Sequence, residues 1–333
     1  MFNTGSVQTY DEKYLIDLQG VALTTPPEKY ERLPGAIWTH RKALIIQRYL
    51  QLFVRITRRG TYIDAFAGPQ DGRDDSGTWA ARRVWEQNPG KRFKRIDRFE
   101  LFEENASSLK ALSTMIDSTR SDGRKRVISK GDCNLTLPRR LTASPVKGPA
   151  FCLLDQRTDE CNWDTVKFVA DHKSDPNKIE IFYFLMAGWY DRYLAALGSE
   201  NRTSRLEKWW GNKNFPILDK ATHSRTAELF VDRFRTELGY KHVMAFPIYD
   251  NYVPTEKGNV KFYMIHATDN ADAPGLMRRA YKIVAAGWDP NIHQESLPFM
   301  AATNYGSLST VGSWDQFLTP EERRIRARKS KRK

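Results

Sequence analysis

The sequence of 333 residues contains only three cysteines and no long apolar run. Cys133, Cys152 and Cys161 form no CxxC pair, so the closely spaced ligands of a typical zinc site are missing and we expect no bound metal. No stretch approaches the roughly 18–20 apolar residues that a membrane span requires. Residues 1–10 are polar and lack the apolar core of a signal peptide. These absences predict reduced thiols, no membrane association and a cytoplasmic location.

Several nucleotide-binding and hydrolase motifs are also missing. The full GxGxxG fingerprint is absent, which argues against a nicotinamide cofactor. Without a GxxxxGK[ST] loop, a nucleoside triphosphatase is not expected. The nucleophile elbow GxSxG and the zinc-binding HExxH are not present either. The remaining possibilities are ligand sites built at the ends of strands.

The net charge of +13 makes an anionic partner plausible, but much of it is local. Eight of the eleven residues from Arg323 to Lys333 are Lys or Arg, which leaves about +5 for the rest of the chain. This tail, with Arg328 and Lys329 at its centre, either binds nucleic acid or only solubilises a disordered end. A second basic stretch, 124–126, mildly favours a polyanion.

The stretch from Tyr62 to Pro69 organises the rest of the prediction. A short apolar strand ends at Asp64 and runs into the Gly68-Pro69 turn, as in α/β folds that build a ligand crevice there. Apolar runs and amphipathic segments then alternate, which predicts a doubly wound, mostly parallel α/β sheet. Further strands are predicted at 96–102, 127–128, 150–154, 179–186, 242–249 and 261–267, the last two forming an antiparallel hairpin with a turn at 256–259.

Helices are predicted between these strands. The first follows Lys42, and its apolar face consists of Ile45, Tyr49, Leu52, Phe53 and Ile56. Cations and a glycine at 58–60 are expected to end it. Further helices are expected at 78–87, around 109–116, at 163–172, from 222 to 238 and at 273–286.

The domain organisation follows from where this alternation begins and stops. Residues 1–35 are a polar N-terminal extension, and 36–286 are the Rossmann-like domain. Within it, 187–225 interrupt the rhythm and are interpreted as a helical or irregular insertion rich in Trp, Arg and Lys. Residues 287–320 are an irregular C-terminal segment, and 321–333 are the basic tail.

Four successive strands end in acidic residues, namely Asp64, Glu103, Asp132 and Asp155. In a doubly wound sheet all four project into one crevice. Glu103 is placed to accept two hydrogen bonds from a ribose diol, and Asp132 to face an adenine amino group. Asp64 would orient its loop or accept from a ligand amine, and Asp155 would lie nearest a transferred group. Alternatively, each acid only caps a helix.

The chain resembles a known family over about residues 35–286. The stretch 62–69 is similar to the first motif of class I S-adenosylmethionine-dependent methyltransferases, and the whole region resembles the three-Cys-motif partner family, TcmP. The resemblance rests on Trp38…Lys42, Asp64–Pro69, Phe102-Glu103, Gly131–Asn134, Leu153–Asp155 with Trp163, Arg192, His266–Asp269 and Ala280-Tyr281. The cysteines of the family name belong to a radical-enzyme-like partner protein and are unrelated to those of this chain.

The resemblance implies S-adenosylmethionine as the cofactor and assigns residues to it. Asp155 becomes the candidate catalytic residue, and the cofactor site is expected to comprise Asp64, Phe66, Gly68, Pro69, Glu103, Asp132 and Asn134. Two departures stand out. Gln70 replaces the last glycine of a Gly-Pro-Gly turn, and Asp155-Gln-Arg-Thr158 replaces an Asp-Pro-aromatic-Gly segment. The lost proline and aromatic residue resemble the platform that amino-methyltransferases use to hold a flipped base.

Three functions remain open at this point. The first is a methyltransferase acting on DNA or RNA, in which Lys208, Trp209, Trp210, Arg328 and Lys329 contact the nucleic acid. The two tryptophans could instead only pack the insertion onto the core. The second is a non-catalytic accessory module of a three-Cys-motif protein, which the altered segment after Asp155 favours. The third, a nuclease using Asp64, Glu103 and Asp155, has little support because no PD-(D/E)xK spacing is evident.

Overall fold

A seven-stranded sheet forms the centre of the fold. The computed structural model describes residues 41–69, 78–86, 95–118, 123–174, 177–186, 199–218, 221–249 and 260–285. The strands are β1 (Arg59–Asp64), β2 (Arg95–Glu103), β3 (Lys125–Lys130), β4 (Ala150–Leu154), β5 (Glu180–Leu185), β6 (His242–Tyr249) and β7 (Val260–Thr268). Their order is β3-β2-β1-β4-β5-β7-β6, and β7 runs antiparallel to both of its neighbours. The predicted doubly wound, Rossmann-like methyltransferase sheet with a C-terminal antiparallel hairpin is therefore confirmed.

Helices cover both faces of this sheet. They are α1 (Lys42–Thr57), α2 (Ala80–Glu86), α3 (Ala106–Asp117), α4 (Cys133–Ala143), α5 (Trp163–Asp171), α6 (Ser199–Trp210), α7 (His223–Thr236) and α8 (Ala273–Ala285). Helices α1, α2, α3 and α8 pack on one face, and α4 to α7 on the other. Among the described helices, none is long and apolar enough to cross a membrane.

The strand nearest the middle shows why the sequence adopts this arrangement. β4 is buried at every position, as expected for a parallel strand covered on both faces. It pairs with β1 on one side and β5 on the other, so that Phe151 lies beside Tyr62. Aromatic rings of α1 and the strands then fill the first face, where Tyr49 packs against Phe151 and Phe182.

The helices differ from the predictions in detail. Helix α4 was not predicted, and it contains Pro138 although proline normally ends a helix. Helix α1 ends at Thr57, and its C-cap residue Arg58 takes a positive φ of 67°. Gly60, expected to stop that helix, lies in β1 instead, where an added Cβ would sit 2.7 Å from the Phe53 ring. Ile56, predicted to face the core, is 43% exposed.

The segment interpreted as an insertion contributes to the core. Of residues 187–225, the structure describes 199–218 and 221–225, which include α6 and a short 3₁₀ helix, Phe215–Leu218. Leu206, Trp209 and Trp210 of α6 are buried against the α5–α7 layer. Thr222 caps α7 by accepting from the Arg225 N–H. The remainder of this segment, the turn at 256–259 and the regions 1–40 and 286–333 lie outside the described residues. The proposed domain boundaries therefore stay predictions.

Candidate functional site

A small cavity lies where the strand order of the sheet reverses, between the parallel strands β1 and β4. β1 continues to β2 on one side, whereas β4, on its other side, continues to β5; ligands bind at such switch points in open α/β sheets. The cavity is lined by Asp64, Phe66, Gly68, Thr78, Trp79, Ala80, Ala81, Leu153 and Asp155. Two of the four predicted strand-end acids thus share one cavity wall.

Asp64 is buried at the end of β1 and already has two donors. Its Oδ2 accepts from the Tyr62 hydroxyl at 2.6 Å, and its Oδ1 accepts from the Phe66 N–H at 3.1 Å. Burial raises the pKa of Asp64 to about 7, and repulsion from Asp155 and Glu103 acts in the same direction, whereas the two hydrogen bonds oppose it. Asp64 therefore changes its charge near neutral pH, inside the cavity.

Glu103 ties the loop after β1 to the end of β2. Its Oε2 accepts from the Gly68 N–H at 2.9 Å, and its Oε1 accepts from the Asn105 N–H at 2.8 Å. A Cβ on Gly68 would lie 2.4 Å from Glu103 Oε2 and 2.6 Å from Ser108 Cβ. Only glycine permits this close approach, so one carboxylate organises two loops at the crevice.

Asp132 and Asn134 shape the neighbouring loop. Asp132 caps α4 by accepting from the Asn134 N–H at 2.8 Å, which is the capping alternative considered for these acids. The Asn134 amide donates to Asp132 and to the Glu160 carbonyl, and accepts from Asn162 N–H and Thr165 Oγ1. Asn134 thus clamps the loop after β4 to the start of α4. A role of either residue in cofactor binding stays a prediction.

Asp155, the candidate catalytic residue, forms an ion pair with Lys42 that was not predicted from the sequence. Its Oδ1 lies 2.5 Å from the Lys42 Nζ, and both side chains are more than 90% buried. Lys42 begins α1 and was noted in the sequence only as part of the Trp38…Lys42 piece. The sequence separation of 113 residues gave no signal for this pairing.

The altered segment after Asp155 has its own structural role. Gln156 is fully buried; its Nε2 donates to the Phe184 carbonyl at 3.3 Å and its Oε1 accepts from the Cys161 N–H at 2.9 Å. Asp159 forms a bidentate pair with Arg205 of α6, at 2.9 and 2.6 Å. The loop after β4 is therefore held by the buried Gln156 side chain.

Among the other residues near the turn after β1, Trp79 was not predicted from the sequence. Phe66 lines the cavity, and the Pro69 carbonyl accepts from Ser108 Oγ at 3.3 Å; the assignment of both residues to a cofactor stays a prediction. Trp79, at the end of the stretch that follows the turn, also lines the cavity and donates its Nε1–H to the Ala67 carbonyl at 2.6 Å. No motif marks Trp79 in the sequence.

The residues assigned to nucleic acid fall into three groups. Lys208 is exposed on α6. Trp209 and Trp210 are 2% and 5% exposed and pack against Phe230, in agreement with the packing alternative. Base stacking by either ring would require it to leave the core. Arg328 and Lys329 lie outside the described residues.

The three cysteines are free and buried. Hydrogen bonding to Cys133 and burial raise the pKa of the Cys161 thiol well above its usual value, which disfavours a reactive thiolate. Within the described ranges, no three His, Cys, Asp or Glu side chains come together as a metal site, including the acids of the nuclease alternative.

The chain is remotely similar to solved structures, among them two methyltransferases. An O-methyltransferase from Bacillus cereus, in complex with SAH, is 10% identical, with a TM-score of 0.37 over 67% of this chain and 80% of that one. The plantazolicin methyltransferase BamL, in complex with a triazolic desmethylPZN analogue and SAH, is 9% identical, with a TM-score of 0.39 over 70% and 86%. Protein LPL1258 from Legionella pneumophila is 10% identical, with a TM-score of 0.41 over 75% and 91%. No protein-family model matches the sequence, and no curated protein does so significantly.

Proposed function

We propose that the protein is an S-adenosylmethionine-dependent methyltransferase of the TcmP type that acts on nucleic acid. The observation that carries this proposal is the cavity at the switch point between β1 and β4. Asp64, Gly68 and Asp155 line it, and Gly68 packs against Glu103. The strand order and the antiparallel β7 are those of the methyltransferase fold.

The residues present fit a nucleoside cofactor. Each Glu103 oxygen accepts one backbone N–H and keeps acceptor capacity for a ribose hydroxyl. Gly68 and Phe66 would lie along the ligand, and Asp64 would face its charged end.

Bound S-adenosylmethionine would supply an activated methyl group on its sulfonium. The residues of this chain would bind and orient the two reactants, which is the main contribution that methyl transfer requires. Asp155 would hold the acceptor near the methyl group. Lys208 on α6, together with the tail residues Arg328 and Lys329, would contact phosphates.

A second candidate is a non-catalytic accessory module that retains the methyltransferase fold for binding and serves a three-Cys-motif partner. The buried Gln156 supports it, because this residue fills the position where the family pattern has a proline and stabilises the loop without presenting a base platform. Here the cavity binds a nucleoside and no group is transferred.

Calorimetric titration with S-adenosylmethionine and SAH tests the enzyme reading. We expect binding below millimolar concentration, because millimolar affinity corresponds to only about 4 kcal/mol. Glu103→Ala should weaken it at least tenfold. Glu104→Ala is the matched control, because it removes the same charge from an exposed neighbour. Absence of binding by the wild-type protein would overturn the proposal. Binding of SAH without methyl transfer to DNA or RNA would favour the accessory module.

A further inference from the structure

The ammonium group of Lys42 lies in a cage of one carboxylate and two aromatic rings. Its Nζ is 2.5 Å from Asp155 Oδ1, 4.6 Å from the Phe184 ring centroid and 5.3 Å from the Phe262 ring centroid. Phe184 belongs to β5, Phe262 to β7, and Asp155 follows the end of β4. All four side chains are buried.

The needs of the fold alone do not explain this arrangement. Burying an ion pair costs desolvation that its attraction often fails to offset, and apolar residues of similar size usually serve stability as well or better. Lys42 is also the first residue of α1, where the helix dipole disfavours a cation. A lysine at this position therefore indicates that its charge has a function. That charge acts on Asp155, which lines the cavity.

We propose that Lys42 is a positioning residue that fixes and neutralises Asp155, so that the acceptor side of the cavity takes an uncharged nucleophile and rejects a protonated aliphatic amine. Carboxylate and aromatic faces are the groups that recognise an ammonium ion, and Lys42 already occupies them. Uncharged nucleophiles of this class include an exocyclic amine of a base or a hydroxyl. This substrate class rests on the proposed function, whereas the occupation of the cage by Lys42 does not.

Removal of the lysine side chain should open the cage to an external amine. We expect n-butylamine, which is protonated at pH 7, to raise the melting temperature of Lys42→Ala and to bind it at least tenfold more tightly than the wild type. The double variant Lys42→Ala/Asp155→Asn should show no such gain, because the carboxylate is gone. Equal binding to wild type and Lys42→Ala, or retained binding by the double variant, would overturn the cage assignment.

The pKa of Asp64 provides a second test. Replacing Lys42 should change it only if the charge of Lys42 acts on the acids of the cavity. Asp64 faces Tyr62, Glu103 and Asp155, and its pKa is about 7. In Lys42→Met, which keeps an apolar stem should Lys42→Ala fail to fold, the charge of Asp155 is no longer balanced. The midpoint of Asp64, followed by carboxyl carbon-13 NMR, should then rise by about one pH unit, and Lys42→Arg should restore it. An unchanged midpoint in Lys42→Met would refute the electrostatic role.

Selectivity is tested with two small probes in the presence of saturating SAH. The wild type should bind 9-methyladenine at least tenfold more tightly than n-butylamine, and Lys42→Met should reduce or reverse this ratio. Equal binding of the two probes, or binding of neither, would overturn the substrate class. If SAH itself does not bind the wild type, the proposed function fails, while the amine and Asp64 measurements still decide the role of Lys42.

Discussion

Gly68 and Glu103 approach each other so closely that the glycine has no room for a side chain. The Gly68 N–H donates to Glu103 Oε2 at 2.9 Å, and a Cβ at Gly68 would lie 2.4 Å from that same oxygen. The turn after β1 is thereby fixed to the end of β2. Glycine is required here by its packing against Glu103 and Ser108.

Gly68→Ala should therefore lower both stability and ligand affinity. Crowding against Glu103 and Ser108 should reduce the free energy of unfolding by about 1–3 kcal/mol, the usual cost of overpacking. Urea denaturation measures this loss, and SAH calorimetry measures the affinity. Gly148→Ala is the matched control, because nothing lies within 4 Å of its added Cβ. Equal effects of the two substitutions would contradict the packing argument.

Asp64 should make stability depend on pH near neutrality. Because burial raises its pKa to about 7, the folded state binds a proton that the unfolded state releases near pH 4. The protonated form stabilises fully below about pH 4, and this contribution is lost as pH rises through about 7. The stability of the wild type relative to Asp64→Asn should thus fall by on the order of 2–4 kcal/mol between pH 4 and pH 8.

Urea unfolding of both proteins across that pH range measures the effect. Asp117→Asn is the control, because the Asp117 side chain is 74% exposed. A constant difference between wild type and Asp64→Asn at all pH values would show that burial does not perturb Asp64.

Much of the sheet was predictable because its signals are local. Ala150–Leu154 was predicted with the bounds that the structure shows, since five consecutive apolar residues followed by an acid admit few other readings. The strand-end acids were likewise found from sequence, because parallel strands bring their carboxyl ends to one edge. Helix α4 was not predicted; Asp132 caps its start, and Pro138 lies inside it, where proline is normally unfavourable.

The pairings within the site were not predictable. Lys42 and Asp155 are 113 residues apart, and their contact depends on how α1 packs beside β4. The same holds for Asn134, which contacts Asn162 and Thr165 across two loops. The sequence indicated which types of residue reach the crevice. Which of their atoms already form hydrogen bonds or ion pairs within the protein is decided by tertiary packing.

Tyr49→Phe should destabilise the core more than a comparable change elsewhere. The buried Tyr49 hydroxyl donates to Glu180, whose carboxylate also lies 3.3 Å from His266 Nε2. Loss of a bond to a charged acceptor should cost about 1.5–3 kcal/mol. Tyr281→Phe is the control, because its hydroxyl donates to the neutral Pro247 carbonyl and should cost about 0.5–1.5 kcal/mol. Denaturant unfolding compares the two, and a larger loss in Tyr281→Phe would refute the ranking.

Asn134→Ala separates a structural clamp from a cofactor contact. It removes four hydrogen bonds and leaves the Asn162 N–H without its partner, so we expect a loss of about 1–3 kcal/mol. Asn212→Ala, in an exposed turn where the side chain accepts from Asn214, should be nearly neutral. A more than tenfold loss of SAH affinity in folded Asn134→Ala, with stability unchanged, would favour direct cofactor contact instead.

The contribution of surface cations to nucleic-acid binding should appear as salt dependence. If Lys208 contacts a phosphate, Lys208→Ala should weaken binding similarly for all sequences and reduce the slope of log K against log salt by about 1. Lys110→Ala is the control, because Lys110 is exposed on α3, across the sheet from α6.

Truncation after Pro320 should flatten the slope further by removing the eight tail cations. Fluorescence anisotropy with labelled DNA and RNA at several salt concentrations measures each slope. Unchanged slopes in Lys208→Ala and the truncated chain would remove α6 and the tail from the binding surface and leave the cavity as the sole candidate for contact with the acceptor.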